Sequence, residues 1–253
     1  MRTVIVHYHI FKNAGSTFDS MLEATFGERW ANFDKPQAAA YITPDEMAEF
    51  IVSHPDLAAI SSHHAVLPLP EIPGVTILPA LFLRHPLDRA RSVYEFERRQ
   101  GMEAGPVSKG AEQAAKLSFA EYLRWRLDAT VNGVVANFQT VRLIHDPKFN
   151  RHKLTEDDFE LAWRRLHELP FVGLVEDFDS SINRFSILAK LKYIDFASEY
   201  VSHNQSFRDS NLSRRLKKMR SELGELAWDE IVSRNQMDLR IYYLACLNTD
   251  SCE

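Results

Sequence analysis

An uninterrupted apolar run, Val4-Ile5-Val6, leads through His7-Tyr8-His9-Ile10-Phe11 into the polar sequence Lys12-Asn13-Ala14-Gly15-Ser16-Thr17. Consecutive β-branched residues suit a central parallel strand buried on both faces, not an edge strand with one wet face. Helical spacing begins at once, because Phe18, Met21, Leu22 and Thr25 share a face between Ser16 and Phe26. The pattern recurs. Leu81-Phe82-Leu83 runs into Arg84-His85-Pro86-Leu87-Asp88-Arg89-Ala90-Arg91-Ser92-Val93-Tyr94, with Pro86 at a helix start. Each segment puts a cation and a hydroxyl where a strand hands over to a helix. Helix N-termini and guanidinium forks both hold phosphate, so two such places predict a ligand with two separate phosphate groups.

The remaining pattern alternates in the same way. Leu57 to Ser61, Val75 to Leu83 and Phe171 to Val175 read as further strands. Thr43-Pro44-Asp45-Glu46 starts a helix, and Thr155-Glu156-Asp157-Asp158 caps another that Pro170 stops. Ser118 to Leu127, Ser180 to Leu191 and Leu223 to Leu247 read as helices, and Gly101 to Lys116 as a loop with a weak helix. The expectation is an α/β fold: a P-loop-like open parallel β-sheet of four to five strands flanked by helices. A single domain spans 1–253, with a helical insertion at about 101–150. Ligands of such sheets sit outside the carboxyl ends of the strands. Lys12, the pair His63-His64, Arg84 and Glu176 each fall just past one strand.

Composition removes several classes. Net charge is −5, and the densest basic run, Arg214-Arg215-Leu216-Lys217-Lys218-Met219-Arg220, reads as a solvated helix face or the rim of an acidic ligand. No nucleic-acid partner is expected. The most apolar window, Val66 to Leu83, contains Pro68, Pro70, Glu71, Pro73 and Pro79, so no membrane span is expected. Met1-Arg2-Thr3 enters a strand without a signal peptide ahead of it. Two cysteines, Cys246 and Cys252, make no disulfide framework. Reduced thiols and a cytoplasmic location follow as expectations.

Around Lys12, the small residues Asn13, Ala14 and Gly15 let backbone amides approach an anion, and Ser16 and Thr17 open the helix. The sequence is not Gly-x-x-x-x-Gly-Lys-Ser/Thr, so the nucleoside-triphosphate loop is not matched. Arg84 and Ser92 suit one phosphate; equally, Arg84 could cap strand carbonyls while Ser92 packs against the sheet. His63 and His64 are candidate general bases, since a neutral imidazole accepts a hydroxyl proton near neutral pH. Glu176 is a further acid–base candidate or an orienting group, and His9 could line the loop.

These residues resemble the sulfotransferases that use 3′-phosphoadenosine 5′-phosphosulfate (PAPS), most closely the carbohydrate branch that includes the heparan 2-O-sulfotransferases. Lys12-Asn13-Ala14-Gly15-Ser16-Thr17 is similar to their 5′-phosphosulfate loop. Arg84 through Arg89, Ser92 and Tyr94 resemble their 3′-phosphate motif, with Arg84 and Ser92 eight apart as in the family. Weaker echoes are Asn137-Phe138-Gln139-Thr140, Phe171 to Glu176, and Asn235 with Asp238, Tyr242 and Tyr243. Phe11 stands where the family often has proline, and His85 where aspartate is common. The resemblance implies sulfuryl transfer from PAPS to a hydroxyl of a glycan or other small alcohol acceptor, with no metal. It further implies His64 as base ahead of His63, and a cofactor-covering loop near Asn204, Ser206 and Arg208. A nucleoside-triphosphate-dependent kinase and a non-catalytic adenosine-bisphosphate-binding protein remain the alternatives. The segment Gly101 to Asn150 and the turn Leu67 to Pro73 are expected to frame the acceptor.

Overall fold

The computed structural model describes residues 2–37, 40–103, 108–128, 131, 133–145, 154–196 and 211–249. Among them, β1 (Arg2–Tyr8), β2 (Trp30–Asn32), β3 (Ala59–Ser62), β4 (Val75–Leu83) and β5 (Gly173–Leu174) form one parallel sheet in the order β2-β3-β1-β4-β5. The expected α/β architecture is the observed one. Val4, Ile5 and Val6 on the central strand are fully buried. Their side chains alternate: Ile5 joins Phe18, Leu22, Phe82 and Phe185 on one face, while Val4 and Val6 join Ile42, Met47, Leu81 and Leu83 on the other. From β1 the chain moves out to β2, returns through β3, and then crosses β1 to reach β4. The strand order thus reverses about β1, and a crevice opens over its carboxyl end.

Helices cover both faces. α1 (Gly15–Phe26) follows β1, and α2 (Pro44–Ser53) starts at a capping box between Thr43 and Glu46. α3 (Pro86–Glu103), α4 (Lys109–Lys116) and α5 (Phe119–Leu127) build a separate apolar cluster around Leu87, Val93, Phe119 and Leu123. α6 (Phe138–Ile144), α7 (Glu156–His167), α8 (Phe178–Leu191), α9 (Leu212–Leu223), α10 (Glu225–Arg234) and α11 (Gln236–Thr249) complete the described chain. Among the described residues, no helix is long and apolar enough to cross a membrane.

Several expectations change in detail. The strand expected at Phe171 to Val175 shrinks to two residues, because Val175–Asp177 coils into a 3-10 turn. The long helix expected from Leu223 breaks at Asn235, whose side chain leaves the helix to accept from Asn137 N–H at 3.1 Å and donate to Val135 O at 2.8 Å. Cys246 is disulfide-bonded, not free. Whether thiols meet is set by geometry that spacing does not report. Cys252, the chain's one other cysteine, lies outside the described residues.

The weak sequence echoes turn out to be a reciprocal clamp. Asn137 adopts φ 43 at the start of α6, a left-handed conformation that asparagine tolerates, and its Oδ1 accepts from Met237 N–H and Asp238 N–H at 3.1 Å each. Asp238 answers by accepting from Gln139 N–H at 3.0 Å and from Thr140 N–H and Oγ1–H at 2.7 Å each. Each helix start therefore caps the other. Asp238 is fully buried, so Asp238→Ala strands three donors. We expect a loss of about 3 kcal/mol in urea-unfolding free energy; a loss under about 1 kcal/mol would show that the clamp is dispensable.

Candidate functional site

The loop after β1 is bent by two non-glycine residues in the left-handed region, Lys12 at φ 67 and Ala14 at φ 59. Such conformations cost energy and persist only where surroundings enforce them. Here the enforcement is visible. Arg84 Nη1 donates to Lys12 O at 3.2 Å, and the fully buried Arg89 donates through Nη1 to Phe11 O at 3.3 Å. Asn13 points inward and donates to Phe82 O and Gln139 Oε1, both at 2.7 Å. It ties the loop to the sheet and does not face the crevice. Gly15 is needed for packing: a Cβ there would lie 2.1 Å from the His9 ring.

The bend aims α1 at the crevice. No side chain caps α1, and its first turn has no acidic residue. Its amides and its positive dipole end therefore face outward, an arrangement that suits an anion. A cavity of about 110 Å³ lies over it, lined among others by Lys12, Ala14, Gly15, Ser16, His63 and Arg84. Lys12 Nζ sits 4.5 Å above the Phe96 ring. Burial, and then the nearby Arg84 and Arg99, push the Lys12 ammonium down to about 8. A bound anion would reverse that shift by favouring the charged form.

A second cavity of about 190 Å³ adjoins the first, and the two share Arg84 and Ser92. Arg215 and Lys218 add positive charge there, while Arg91 is paired with Glu95 and Glu222, which line the same cavity. Asp88 is buried between two guanidinium groups: Arg84 donates to it at 2.9 and 2.7 Å, and Arg215 at 2.7 and 3.2 Å. Burial pushes the Asp88 carboxyl up, but Arg84 and Arg215 together overcome it and hold the group ionised. Arg215 reaches this place from α9, so the basic run that read as a solvated face contributes to the cavity. Thr17 is buried beneath the loop. Asn204, Ser206 and Arg208 lie outside the described residues.

The two histidines share Asp34 as a neighbour, His64 Nδ1 lying 3.4 Å from its Oδ1, but differ in what else they meet. His63 lines the first cavity, whereas His64 does not. His63 Nδ1 lies 3.2 Å from Asp34 Oδ2, and Asp34 Oδ1 accepts from His63 N–H at 2.8 Å and Ser62 Oγ–H at 3.1 Å. Donation from Nδ1 leaves the His63 Nε2 lone pair as proton acceptor. Burial opposes ionisation of Asp34, yet its bond with His63 brings it down to about 2. His64, by contrast, accepts at Nδ1 from Lys35 N–H at 3.0 Å, so its remaining nitrogen carries the proton. The structure therefore brings His63, not His64, to the loop. Glu176 lines neither cavity. It accepts from His85 N–H at 2.9 Å and Tyr242 Oη–H at 3.0 Å, and burial raises its carboxyl above the ordinary value. It shapes the Arg84-His85 turn.

Beneath His63 lies a cluster that spacing alone did not expose. His7 and His9 stack with ring centroids 5.0 Å apart, and His9 and His63 at 3.8 Å. Asp19, one turn into α1, accepts from His7 Nδ1 at 2.6 Å and His9 Nδ1 at 2.9 Å. Two imidazoles and a carboxylate are also a metal-ligand set. However, ligands about 2.1 Å from a tetrahedral ion stand about 3.4 Å apart. The shorter contacts are hydrogen-bond lengths, and shared protons account for them. The signal available in sequence was His7-x-His9, which puts both rings on one strand face. Asp34 had no such signal, because it follows the three-residue β2.

Fold and site together define an α/β protein with two adjoining cavities, sharing Arg84 and Ser92, at the switch point of its sheet. No family model matches the sequence. The chain is 32% identical over 251 residues to a protein of Archaeoglobus fulgidus described as an uncharacterized protein, covering 95% of each. It belongs to the same family as that archaeal protein.

The site carries its own pH signature. Burial, first, and then the neighbouring His7 and His63 push His9 down to about 4, against the pull of Asp19. An unfolded imidazole binds its proton below about 6.5. Stability from the neutral ring is therefore complete above that pH and declines as pH falls toward 4. Urea midpoints should drop across this window, and His9→Gln should flatten the drop; an unchanged slope would mean that other groups govern it.

Proposed function

We propose that the protein is a sulfotransferase that moves a sulfuryl group from PAPS to a hydroxyl of a carbohydrate or other alcohol acceptor. One observation carries the reading: two adjoining cationic cavities that share Arg84 and Ser92, one over the open start of α1 and the other under α9. A single phosphate would need only one of them. PAPS supplies the sulfuryl group and leaves as adenosine 3′,5′-bisphosphate. Lys12 and the first amides of α1 stabilise the charge that grows on the 5′-phosphate. Ser92, Arg215 and the outer edge of Arg84 hold the 3′-phosphate and fix its register. His63 Nε2 takes the acceptor's proton as the hydroxyl oxygen attacks sulfur, and Asp34 steadies the resulting imidazolium.

The oriented base separates this reading from a bisphosphate-binding protein without catalysis, which has no use for a carboxylate-held imidazole beside the loop. Positive charge from Lys12 and α1 does the work that a divalent cation does in kinases. Turnover should accordingly persist in EDTA, and a strict magnesium requirement would favour the kinase reading.

Binding to the native state raises stability by mass action. Adenosine 3′,5′-bisphosphate should raise the melting temperature more than AMP or ADP does, and Arg215→Ala should remove most of that excess while leaving AMP unaffected. A charge-assisted contact of this kind is worth about 1.5–3 kcal/mol. Equal shifts for AMP and the bisphosphate would refute the paired-phosphate assignment.

For catalysis, His63→Ala should slow turnover by about 10²–10⁴-fold with bisphosphate binding retained, and His64→Ala should slow it less. The reverse order would return the role to His64.

A further inference from the structure

His63 is a half-exposed side chain on a turn, yet its ring is held in two ways. Asp34, from the segment after β2, fixes one edge through Nδ1. The face of the ring rests on His9, with centroids 3.8 Å apart and planes 29° apart. His9 is itself fixed on three sides. Asp19 holds its Nδ1 at 2.9 Å, His7 stacks on it from the buried side, and Gly15 lies against the ring. Asp19 and Gly15 both belong to α1, the helix whose start faces the anion cavity. One rigid element thus carries the anion site and the seat of the ring beneath the base.

We propose that His9, locked by Asp19, is a positioning residue that sets the orientation and tautomer of His63 relative to the group bound at the start of α1. This rests on the reading of His63 as the base. The charged and titratable groups facing the ring pair are Asp34, Asp19 and His7, with Lys12 and Arg84 across the cavity; Arg142 donates to His63 O at 2.7 Å. None of these except Asp34 contacts a His63 ring nitrogen among the described contacts. Without the His9 platform, one hydrogen bond of 3.2 Å must orient a half-exposed ring by itself. An imidazole so loosely held samples both tautomers.

The test is ¹⁵N-histidine NMR of the full chain, which reports the tautomer of each ring and needs no acceptor. In the wild type, His63 should be predominantly the Nδ1–H form. In His9→Ala it should become a mixture containing at least a quarter Nε2–H form. Asp19→Asn gives a second route that leaves every ring in place. The amide can accept from only one of His7 and His9, so one ring must change its proton or lose its partner. His9 should show the change, with His63 following in part. Adenosine 3′,5′-bisphosphate binding by Asp19→Asn should stay within about threefold of wild type, while sulfuryl transfer slows by about tenfold or more. A purely structural role would lower the melting temperature in both variants and leave the His63 tautomer untouched; that result overturns the proposal. If His9→Ala does not fold, Asp19→Asn decides alone. Failure of the wild type to bind the bisphosphate counts against the sulfotransferase reading, and the tautomer measurement still judges the stack.

Discussion

One guanidinium fixes the shape of the loop after β1 and of the cavities beside it. Arg84 Nη1 reaches the Lys12 carbonyl and holds the loop in its left-handed bend, while Nε and Nη2 grip Asp88 one helical turn along α3. The pair is nearly buried, so its formation carries a desolvation cost that a surface ion pair avoids. Arg215 offsets part of that cost by completing a cation–anion–cation sandwich across to α9. The result is net positive charge between the cavities. Of the two roles open to Arg84 from sequence, the capping one is visible. The arginine caps a carbonyl, and that carbonyl belongs to the left-handed loop after β1 that lines the cavity.

The same economy extends inward. Gln139 Oε1 accepts from Asn13 Nδ2–H at 2.7 Å and from Arg84 N–H at 3.0 Å, while its Nε2 donates to Arg84 O at 2.9 Å. One side chain therefore joins the ends of β1 and β4, the two strands that lead to Lys12 and Arg84. Gln139 is placed by α6, and α6 is capped by Asp238 from α11. The relative position of the two strand-end loops is thus set through a chain of buried hydrogen bonds that runs back to Asp238 on α11. Buried amides and carboxylates of this kind are worth having only when fully paired.

Elements with strong local signals were legible. Val4-Ile5-Val6 marked the central strand, Thr43 and Thr155 marked helix starts, and Val75 to Leu83 has the expected bounds. Short and dependent elements were not. β2 has three residues and exists because β3 offers a free edge beside Trp30, Ala31 and Asn32. No local propensity announces such a strand. Missing β2 meant missing Asp34, and without Asp34 the sequence had no means of choosing between His63 and His64. Glu176 shows the opposite error: it stands at a strand end, as an active-site carboxylate should, but β5 stops early and turns the side chain toward His85 N–H and Tyr242.

His63 and His64 follow β3 in a bend, and although both Nδ1 atoms lie near Asp34, at 3.2 and 3.4 Å, their rings end in different surroundings. The useful question is which side contains a ligand site, and the sheet order answers it. β3 lies beside β1, so the side chain that turns toward β1 meets His9 and the loop, and the one that turns away meets the segment around Lys35. The partners then fix the protons. A carboxylate accepts from His63 and leaves a lone pair toward the cavity; a backbone amide donates to His64 and leaves an N–H. The two imidazoles have the same covalent structure and opposite capacities. Only the one beside β1 is arranged to accept a proton at the cavity over the start of α1.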